Sequence, residues 1–193
     1  MPSFWSDASL EPKRKYRFRL LINSDESYVV TKVKNPAVKI SETPHKFLNH
    51  TFYYPGRAEW DPIDISFVDP GGADDQSANL FKKLGASGYR NPTTDDIAMH
   101  GFTKKAAGLA VGKIRIEQLG IPGGGNTTNA TANTLLSQEA LWDLHNAFFT
   151  NITWGDYDYN GEEMLECSVT VRYDYATFFS TAAPADPFNK PNF

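Results

Sequence analysis

Residues 165–175 read LECSVTVRYDY, and apolar and polar side chains alternate along this whole stretch. The apolar positions are Leu165, Cys167, Val169, Val171, Tyr173 and Tyr175. The polar positions between them are Glu166, Ser168, Thr170, Arg172 and Asp174. A period of two is typical of a strand with one buried face and one solvated face. The stretch therefore predicts a single β-strand whose apolar face packs into a core, with Cys167 as a buried structural thiol.

Similar alternation occurs at several other places in the chain. Residues 16–22 (YRFRLLI), 63–67 (IDISF) and 113–119 (KIRIEQL) each predict a half-buried strand. The β-branched run 28–34 follows a turn at 23–25, which predicts a hairpin with the first of these strands. Most of the regular structure should therefore be β.

Two segments show the apolar spacing of a helix. Residues 75–84 begin at an aspartate that can cap a helix and are followed by Gly85, which suits the end of one. The inward stripe of this helix is predicted to be Leu80, Phe81 and Leu84. Residues 137–149 predict a second helix with Leu141, Leu144 and Phe148 facing inward. Residues 90–112 show no clear period and predict a long loop.

Composition excludes several classes of protein. A chain of 193 residues with 40% hydrophobic residues can bury one sizeable core. Its 13 Phe, 9 Tyr and 4 Trp suit pleated surfaces and protein interfaces. A formal net charge of −4 is the wrong sign for tight binding to nucleic acid, and one cysteine cannot form an intrachain disulfide. We expect neither a signal peptide nor a membrane span, because no apolar stretch is long enough.

No catalytic or metal-binding constellation stands out. Residues 156–161 (DYDYNG) match the first half of an EF-hand calcium loop, but its twelfth position is Cys167 where a glutamate is needed. The favoured reading is a type I′ hairpin turn at Asn160 and Gly161. Metal-ligand spacing is also missing among His45, His50, His100 and His145. We therefore expect no cofactor and no enzymatic activity.

Two segments lack the apolar residues needed to pack. Residues 120–133 (GIPGGGNTTNATAN) are rich in Gly, Asn and Thr and predict an exposed excursion. Residues 181–193 form a Pro-rich arm without periodicity. The chain is thus predicted to be one domain, 1–180, which contains an exposed insertion at 119–140 and is followed by the arm, 181–193.

Residues 54–70 (YPGRAEWDPIDISFVDP) and 150–175 (TNITWGDYDYNGEEMLECSVTVRYDY) resemble the tail-tube proteins of contractile-tailed bacteriophages of the T4 type. The order of segments also agrees, from an N-terminal strand through a long loop, this junction, a short helix and a central strand to a last strand ending in an aromatic-Asp-aromatic triplet. The resemblance covers most of residues 15–178, and the insertion and the arm depart from it. Related tube proteins of type VI secretion and extracellular injection particles share the fold.

The resemblance implies a mainly β fold, a sandwich or barrel of two packed antiparallel sheets with one short flanking α-helix. It implies hexameric rings that stack into a hollow tube inside a contractile sheath, where free strand edges become joints between subunits. The implied partners are further copies of the chain, the tail sheath protein, the tape-measure protein, baseplate and tail-terminator proteins, and DNA as non-specific cargo, with no membrane. The implied location is the tail of a virion, assembled in the host cytoplasm.

Three sets of residues follow as expectations. The poorly periodic segment 45–56 is expected to be a loop that contacts the next ring through Phe47, Phe52, Tyr53 and Tyr54. The junction is either a local turn packed by its tryptophan or an intersubunit contact, and it comprises Arg57, Glu59, Trp60 and Asp61. The polar side of the last strand is expected to line a lumen whose negative charge repels DNA, through Glu166, Ser168, Thr170, Arg172 and Asp174. The insertion should lie outside, toward the sheath.

Three alternatives remain open on sequence alone. The chain could be the tube subunit of a bacterial contractile injection apparatus. It could also be a monomeric β-sandwich that binds carbohydrate, stacking sugars on Trp142, Trp154, Tyr157 and Tyr159. A glycosidase with distant carboxylates ranks third, because no carboxylate pair recommends itself. The host, the role of the insertion and arm, the loops that touch the sheath and the need for a nucleating baseplate are not determined by the sequence.

Overall fold

The computed structural model of the protein describes residues 13–23, 25–27, 29–72, 75–91, 101–120 and 138–180. These residues form eleven strands and two helices, which in chain order are β1 (Phe18–Ile22), β2 (Asp25–Glu26), β3 (Val30–Val33), β4 (Val38–Phe47), β5 (His50–Trp60), β6 (Ile63–Val68), α1 (Gln76–Ala86), α2 (Lys104–Val111), β7 (Ile114–Leu119), β8 (Gln138–His145), β9 (Phe148–Thr153), β10 (Glu166–Arg172) and β11 (Tyr175–Ser180). Most of the predicted insertion and the whole predicted arm lie outside the described residues, so their exposure stays a prediction.

The strands form three antiparallel sheets. One sheet has five strands in the order β11-β8-β7-β1-β2, a second has four in the order β3-β6-β10-β9, and the third is the pair β4-β5. The two larger sheets pack face to face, and their inner side chains form one core. From the five-stranded sheet this core takes Leu20, Ile114, Ile116 and Leu144, and from the four-stranded sheet Ile63, Ile65, Phe67, Cys167, Val169 and Val171. The predicted β-sandwich is therefore confirmed.

The alternation at 165–175 is confirmed in β10 and is then broken by a change of sheet. Cys167, Val169 and Val171 are fully buried, and burial raises the pKa of the Cys167 thiol. The prediction of one continuous strand is wrong, because β10 ends at Arg172 and the chain passes into the five-stranded sheet as β11. The alternation ends there too: Tyr173 is buried, whereas Tyr175 is about half exposed.

The second predicted helix, 137–149, is wrong. This segment forms β8 and β9, which belong to different sheets and meet at Asn146, whose φ is 54°. β8 lies between β7 and β11, with Leu144 opposite Ile114 and Trp142 opposite Phe178. Pairing on both sides of β8 outweighs the helical spacing, because each strand pair adds cross-strand side-chain contacts and burial that a lone helix would lack.

Two helices flank the sandwich, where the resemblance implied one. α1 is confirmed: the Asp75 carboxylate accepts the backbone N–H of Ala78 at 2.7 Å, although Phe81 points to solvent and Gly85 lies inside the helix. α2 occupies part of the predicted loop 90–112. The sequence signal for this helix is the capping residue Thr103, whose hydroxyl accepts the N–H of Ala106 at 3.1 Å. In the described part of the chain, neither helix has the length and apolar character needed to cross a bilayer.

Two predicted turns differ as well. The segments 16–22 and 28–34 do not form a hairpin, because β1 pairs with β2 and β7, whereas β3 pairs with β6 in the other sheet. Asn160 and Gly161 do not form a type I′ turn, because neither residue has the positive φ that this turn needs. β9 and β10 do pair, but residues 154–165 connect them as a longer loop.

Candidate assembly surfaces

β4 and β5 form a long hairpin that stands out from the sandwich as a sheet of its own, the projecting hairpin. Its strands pair from Val38 opposite Trp60 to Phe47 opposite His50. Apart from Thr51 and Trp60, which are half-buried, every residue of the two strands and their turn is exposed. A two-stranded sheet with both faces in water is marginally stable on its own. We therefore expect a partner to cover it.

The four residues predicted for ring-to-ring contact lie together near the tip of this hairpin. Phe47 is 61% exposed, and the turn residue next to it, Leu48, is 90% exposed. Phe52, Tyr53 and Tyr54 follow on β5, each about half exposed or more. The prediction of a loop at 45–56 is wrong, since the segment is strand apart from its two-residue turn. Strand periodicity was invisible there because neither face of the hairpin is buried.

The predicted junction forms the base of the hairpin, where three of its four residues have partners in the same chain. The Arg172 guanidinium contacts Glu59 at 2.7 Å, and Lys39 contacts the Asp61 carboxylate at 3.0 Å. The Trp60 ring packs on the core with its centroid 6.0 Å from that of Tyr173. Packing by the tryptophan agrees with the local interpretation, but the predicted turn is wrong, because Arg57, Glu59 and Trp60 lie in strand β5. The intersubunit role stays a prediction.

Arg57 differs from the other junction residues because its backbone holds a bulge. Its N–H donates to the Ser41 hydroxyl at 2.9 Å, where the register of β4 against β5 shifts. A Cβ atom at Gly56 would lie 2.3 Å from that hydroxyl oxygen, so glycine is required for this close approach. The bulge fixes the register of the hairpin half-way along its length.

The outward side of the four-stranded sheet, which we call the polar face, consists mainly of small hydroxyl and amide side chains. The register sets Ser168 between Ser66 and Thr153. It likewise sets Thr170 between Asp64 and Asn151, and the Thr170 hydroxyl donates to the Asp64 carboxylate at 2.9 Å. Glu166, Ser168, Thr170 and Arg172 share this side of β10, so the structure brings together four of the five residues predicted to line a lumen.

Asp174, the fifth of those residues, lies beyond the end of β10 at the corner between the sheets. Its carboxylate accepts Lys104 Nζ at 2.6 Å and Asn146 Nδ2 at 2.7 Å. The hydrogen bond from Lys104 and the one from Asn146 lower the pKa of Asp174. This side chain ties helix α2 to the corner and is not part of the polar face.

The outward side of the five-stranded sheet carries a ladder of ion pairs that the sequence did not reveal. The Asp143 carboxylate is 4% exposed and accepts Arg115 Nε at 2.7 Å and Lys113 Nζ at 2.8 Å. The equally buried Glu117 carboxylate contacts Arg19 at 2.5 Å. Burial by itself raises the pKa of Asp143, but the hydrogen bonds from its two cationic partners lower it overall. The sequence signal was opposite charge at the polar positions of neighbouring strands.

A groove of about 920 Å³ opens between the base of the hairpin, strand β9 and the two helices, and we call it the basal groove. Six of its eighteen lining residues are aromatic, which are Trp60, Phe102, Phe148, Phe149, Trp154 and Tyr173. Two ion pairs lie among these side chains, Arg172 with Glu59 and Lys104 with Asp174. The groove was not predicted, because its walls come from five separate segments of the chain.

Among the described residues, no group of three or more His, Cys, Asp or Glu side chains could hold a metal ion. Nor does the geometry favour a sugar-binding platform that includes Trp142. That ring packs on the core and lies 4.6 Å from the ring of Phe178, while Tyr157 and Tyr159 extend into solvent elsewhere. The projecting hairpin, by contrast, has seven exposed large apolar side chains, which are Val38, Ile40, Phe47, Leu48, Phe52, Tyr53 and Tyr54.

The sequence matches no protein-family model and no curated protein. Solved structures do match over most of the chain. A chain in the structure of the anti-feeding prophage cap, described as a tube terminating cap, is 16% identical with a TM-score of 0.59, over 88% of this chain and 92% of that one. A chain from the sheath/tube terminator of an extracellular contractile injection system, in its extended state, is 16% identical with a TM-score of 0.60, over 88% and 98%.

A third match comes from the sheath-tube complex of that injection system in its extended state. It is 16% identical with a TM-score of 0.57, over 89% of this chain and 95% of that one. Coverage is nearly complete in both directions, so the likeness concerns the whole fold and not one motif. The chain shares the fold that the sequence resemblance implied.

Proposed function

We propose that this protein is a structural subunit of a tube in a contractile assembly, forming hexameric rings that stack into a hollow conduit within a sheath. The observation that carries the proposal is the projecting hairpin, a long two-stranded sheet with exposed aromatic side chains near its tip, on a chain with this fold. An exposed apolar patch of this kind marks an interaction surface. In a tube of stacked rings, the next ring covers this surface of every subunit except those in the last ring.

The sheet edges support the ring. The outer strands are β2 and β11 in the five-stranded sheet and β3 and β9 in the four-stranded sheet. Edges of this kind are joints for a second chain, and head-to-tail contacts between copies close into rings. Six four-stranded sheets side by side, at about 4.8 Å per strand, give a circumference of about 115 Å and a diameter of about 37 Å. That diameter leaves a hollow centre.

Within this class, we assign the chain to the tail of a contractile-tailed phage, where DNA and the tape-measure protein pass through the lumen. The resemblance of residues 54–70 and 150–175 to phage tail-tube sequences favours the phage tail. The partners would be the sheath, baseplate and terminator proteins, and the role needs no catalysis. A second candidate is the tube of a bacterial injection particle, because the structural matches come from such particles.

Negative-stain electron microscopy and gel filtration of the purified chain test the proposal. Hollow tubes that lengthen with concentration would support a tube subunit. Single rings that never stack would indicate a terminator, since two of the matched structures are of a terminating cap and a sheath/tube terminator. A monomer at all concentrations, even after baseplate seeds are added, would contradict the proposal and favour a monomeric binding module.

The lumen assignment makes a separate prediction. If the polar face lines the channel, Ser168→Lys adds one cation per subunit to the wall without touching the core. We expect tubes of unchanged length that retain about tenfold more labelled DNA at low salt, with the excess lost as salt rises. Leu109→Lys, on the exposed side of α2, is the matched control. Equal DNA retention by the two variants would place the polar face outside the lumen.

A further inference from the structure

We infer that the basal groove of one copy receives the tip of the projecting hairpin of another copy in the next ring. The tip consists of residues 46–53, and its exposed apolar side chains are Phe47, Leu48, Phe52 and Tyr53. The inference rests on the proposed function and adds the receiving surface, which nothing above has assigned.

The groove has the chemistry of an apolar acceptor. Trp154 and Phe102 are 37% and 62% exposed on its walls, and a groove of about 920 Å³ has room for several large side chains. Its charged side chains are already paired, Arg172 with Glu59 at 2.7 Å and Lys104 with Asp174 at 2.6 Å. An apolar occupant can therefore cover them without leaving a buried charge alone.

A hairpin cannot fill the groove of its own chain. The groove is lined by Ala58, Glu59 and Trp60, which form the base of the same hairpin. β5 has 11 residues, so at about 3.3 Å per residue the tip lies some 33 Å from that base. The two apolar surfaces of one chain are thus separated by the length of the hairpin, and the tip can reach only another copy's groove.

The charges at the tip agree with this occupant. Lys46 is exposed beside Phe47, and the sequence contains no acidic residue between Glu42 and Glu59. The rim of the groove presents the Glu59 side chain, which is 71% exposed. A tip that enters another copy's groove can therefore bring Lys46 toward this carboxylate, and the two cations that also line the groove, Lys104 and Arg172, are already paired with Asp174 and Glu59.

The contact is head-to-tail, because tip and groove are different surfaces. Each copy that receives a tip still has its own tip free for a further copy, so the contact propagates without closing on itself. A tube that grows by rings requires an interface of this kind. The length of the hairpin, about 33 Å, then sets the spacing between successive rings.

Disulfide cross-linking of tubes tests the inference. The variant L48C/F102C carries one cysteine at the tip and one in the groove, and the native Cys167 is fully buried. Under mild oxidation we expect a ladder of dimers, trimers and longer chains on a non-reducing gel. The matched control is L48C/L109C, because Leu109 is exposed on helix α2, which begins two residues after Phe102, and lies outside the groove. Since a disulfide needs Cα atoms within about 7 Å, the first variant should cross-link about tenfold more than the control.

Hydrogen–deuterium exchange on the unaltered protein provides a second measurement. On going from subunit to tube, amides of the tip and of residues 148–154 should become protected together. Tubes in which the tip is protected but 148–154 are not, or in which the two variants cross-link equally, would overturn the inference and leave the tube itself standing. Failure of the unaltered chain to form any tube would instead overturn the proposed function, and this inference with it.

Discussion

Replacing both Phe47 and Tyr53 with serine should abolish tubes and leave single rings. Both side chains are about 60% exposed in the subunit, so neither stabilises its fold. Burying a large aromatic side chain at an interface contributes about 2 kcal/mol. Two per subunit in a ring of six then amount to roughly 20 kcal/mol for each ring-to-ring contact. Loss of that amount reduces stacking below detection at ordinary protein concentrations.

The length distribution of tubes in electron micrographs measures the effect, with sedimentation as a second readout. The free energy of unfolding of the isolated subunit should change by less than about 0.5 kcal/mol, because the substitutions lie on the surface. Tyr16→Ser with Phe81→Ser is the matched control, since both aromatics are similarly exposed but lie away from the hairpin. If the hairpin variant forms tubes as long as those of the control, ring stacking does not depend on the hairpin.

A strand of this fold could be predicted from the sequence only where one of its faces is buried. β6 and β10 lie in the centre of a sheet with one side against the core, and their alternation was visible in the sequence. The projecting hairpin buries neither side, so its 21 strand residues carry no hydrophobic period, and its central part, 45–56, was predicted to be a loop. Its function is to be covered by another molecule, and a single sequence does not display that.

Long-range pairing accounts for the other differences. β8 has leucines at helical spacing, yet it is a strand because β7 and β11 pair with it from both sides. Likewise, the polar residues of β10 could be assigned to one face from the sequence, while Asp174 could not be separated from them. The turn between sheets that follows Arg172 depends on contacts with Lys104 and Asn146, which come from distant segments.

The ion-pair ladder shows the same limit in electrostatics. Alternation in residues 113–119 indicated that Arg115 and Glu117 share the outward face of β7. It did not indicate that Asp143 of β8 and Arg19 of β1 lie directly beside them. The pairing of three strands turns isolated surface charges into a partly buried network. In this network the carboxylates of Asp143 and Glu117 are nearly buried, so each depends on its cationic partners.

Substitution of Asp143 with alanine should destabilise the subunit by about 3 kcal/mol, because it removes the two charge-assisted hydrogen bonds that a nearly buried carboxylate accepts from Arg115 and Lys113. For a domain of this size that loss lowers the Tm by roughly 6–12 °C. Thermal unfolding at pH 7, in the non-stacking background F47S/Y53S, measures it without a contribution from ring stacking, and parent and variant are compared at equal protein concentration. Asp156→Ala, in an exposed loop, is the control and should change the Tm by less than about 2 °C.

The pH dependence separates lost charge from lost packing. The pKa of Asp143 in the folded subunit lies below its ordinary value, so its stabilisation is present above about pH 4, the unfolded pKa, and is lost as pH falls through the folded value. The difference in stability between the parent and the alanine variant should therefore be constant from pH 7 to 5 and shrink below about pH 4. Packing does not titrate. A difference that stays the same down to pH 3 would show that Asp143 stabilises the sheet by filling space, and that its ion pairs with Arg115 and Lys113 contribute nothing.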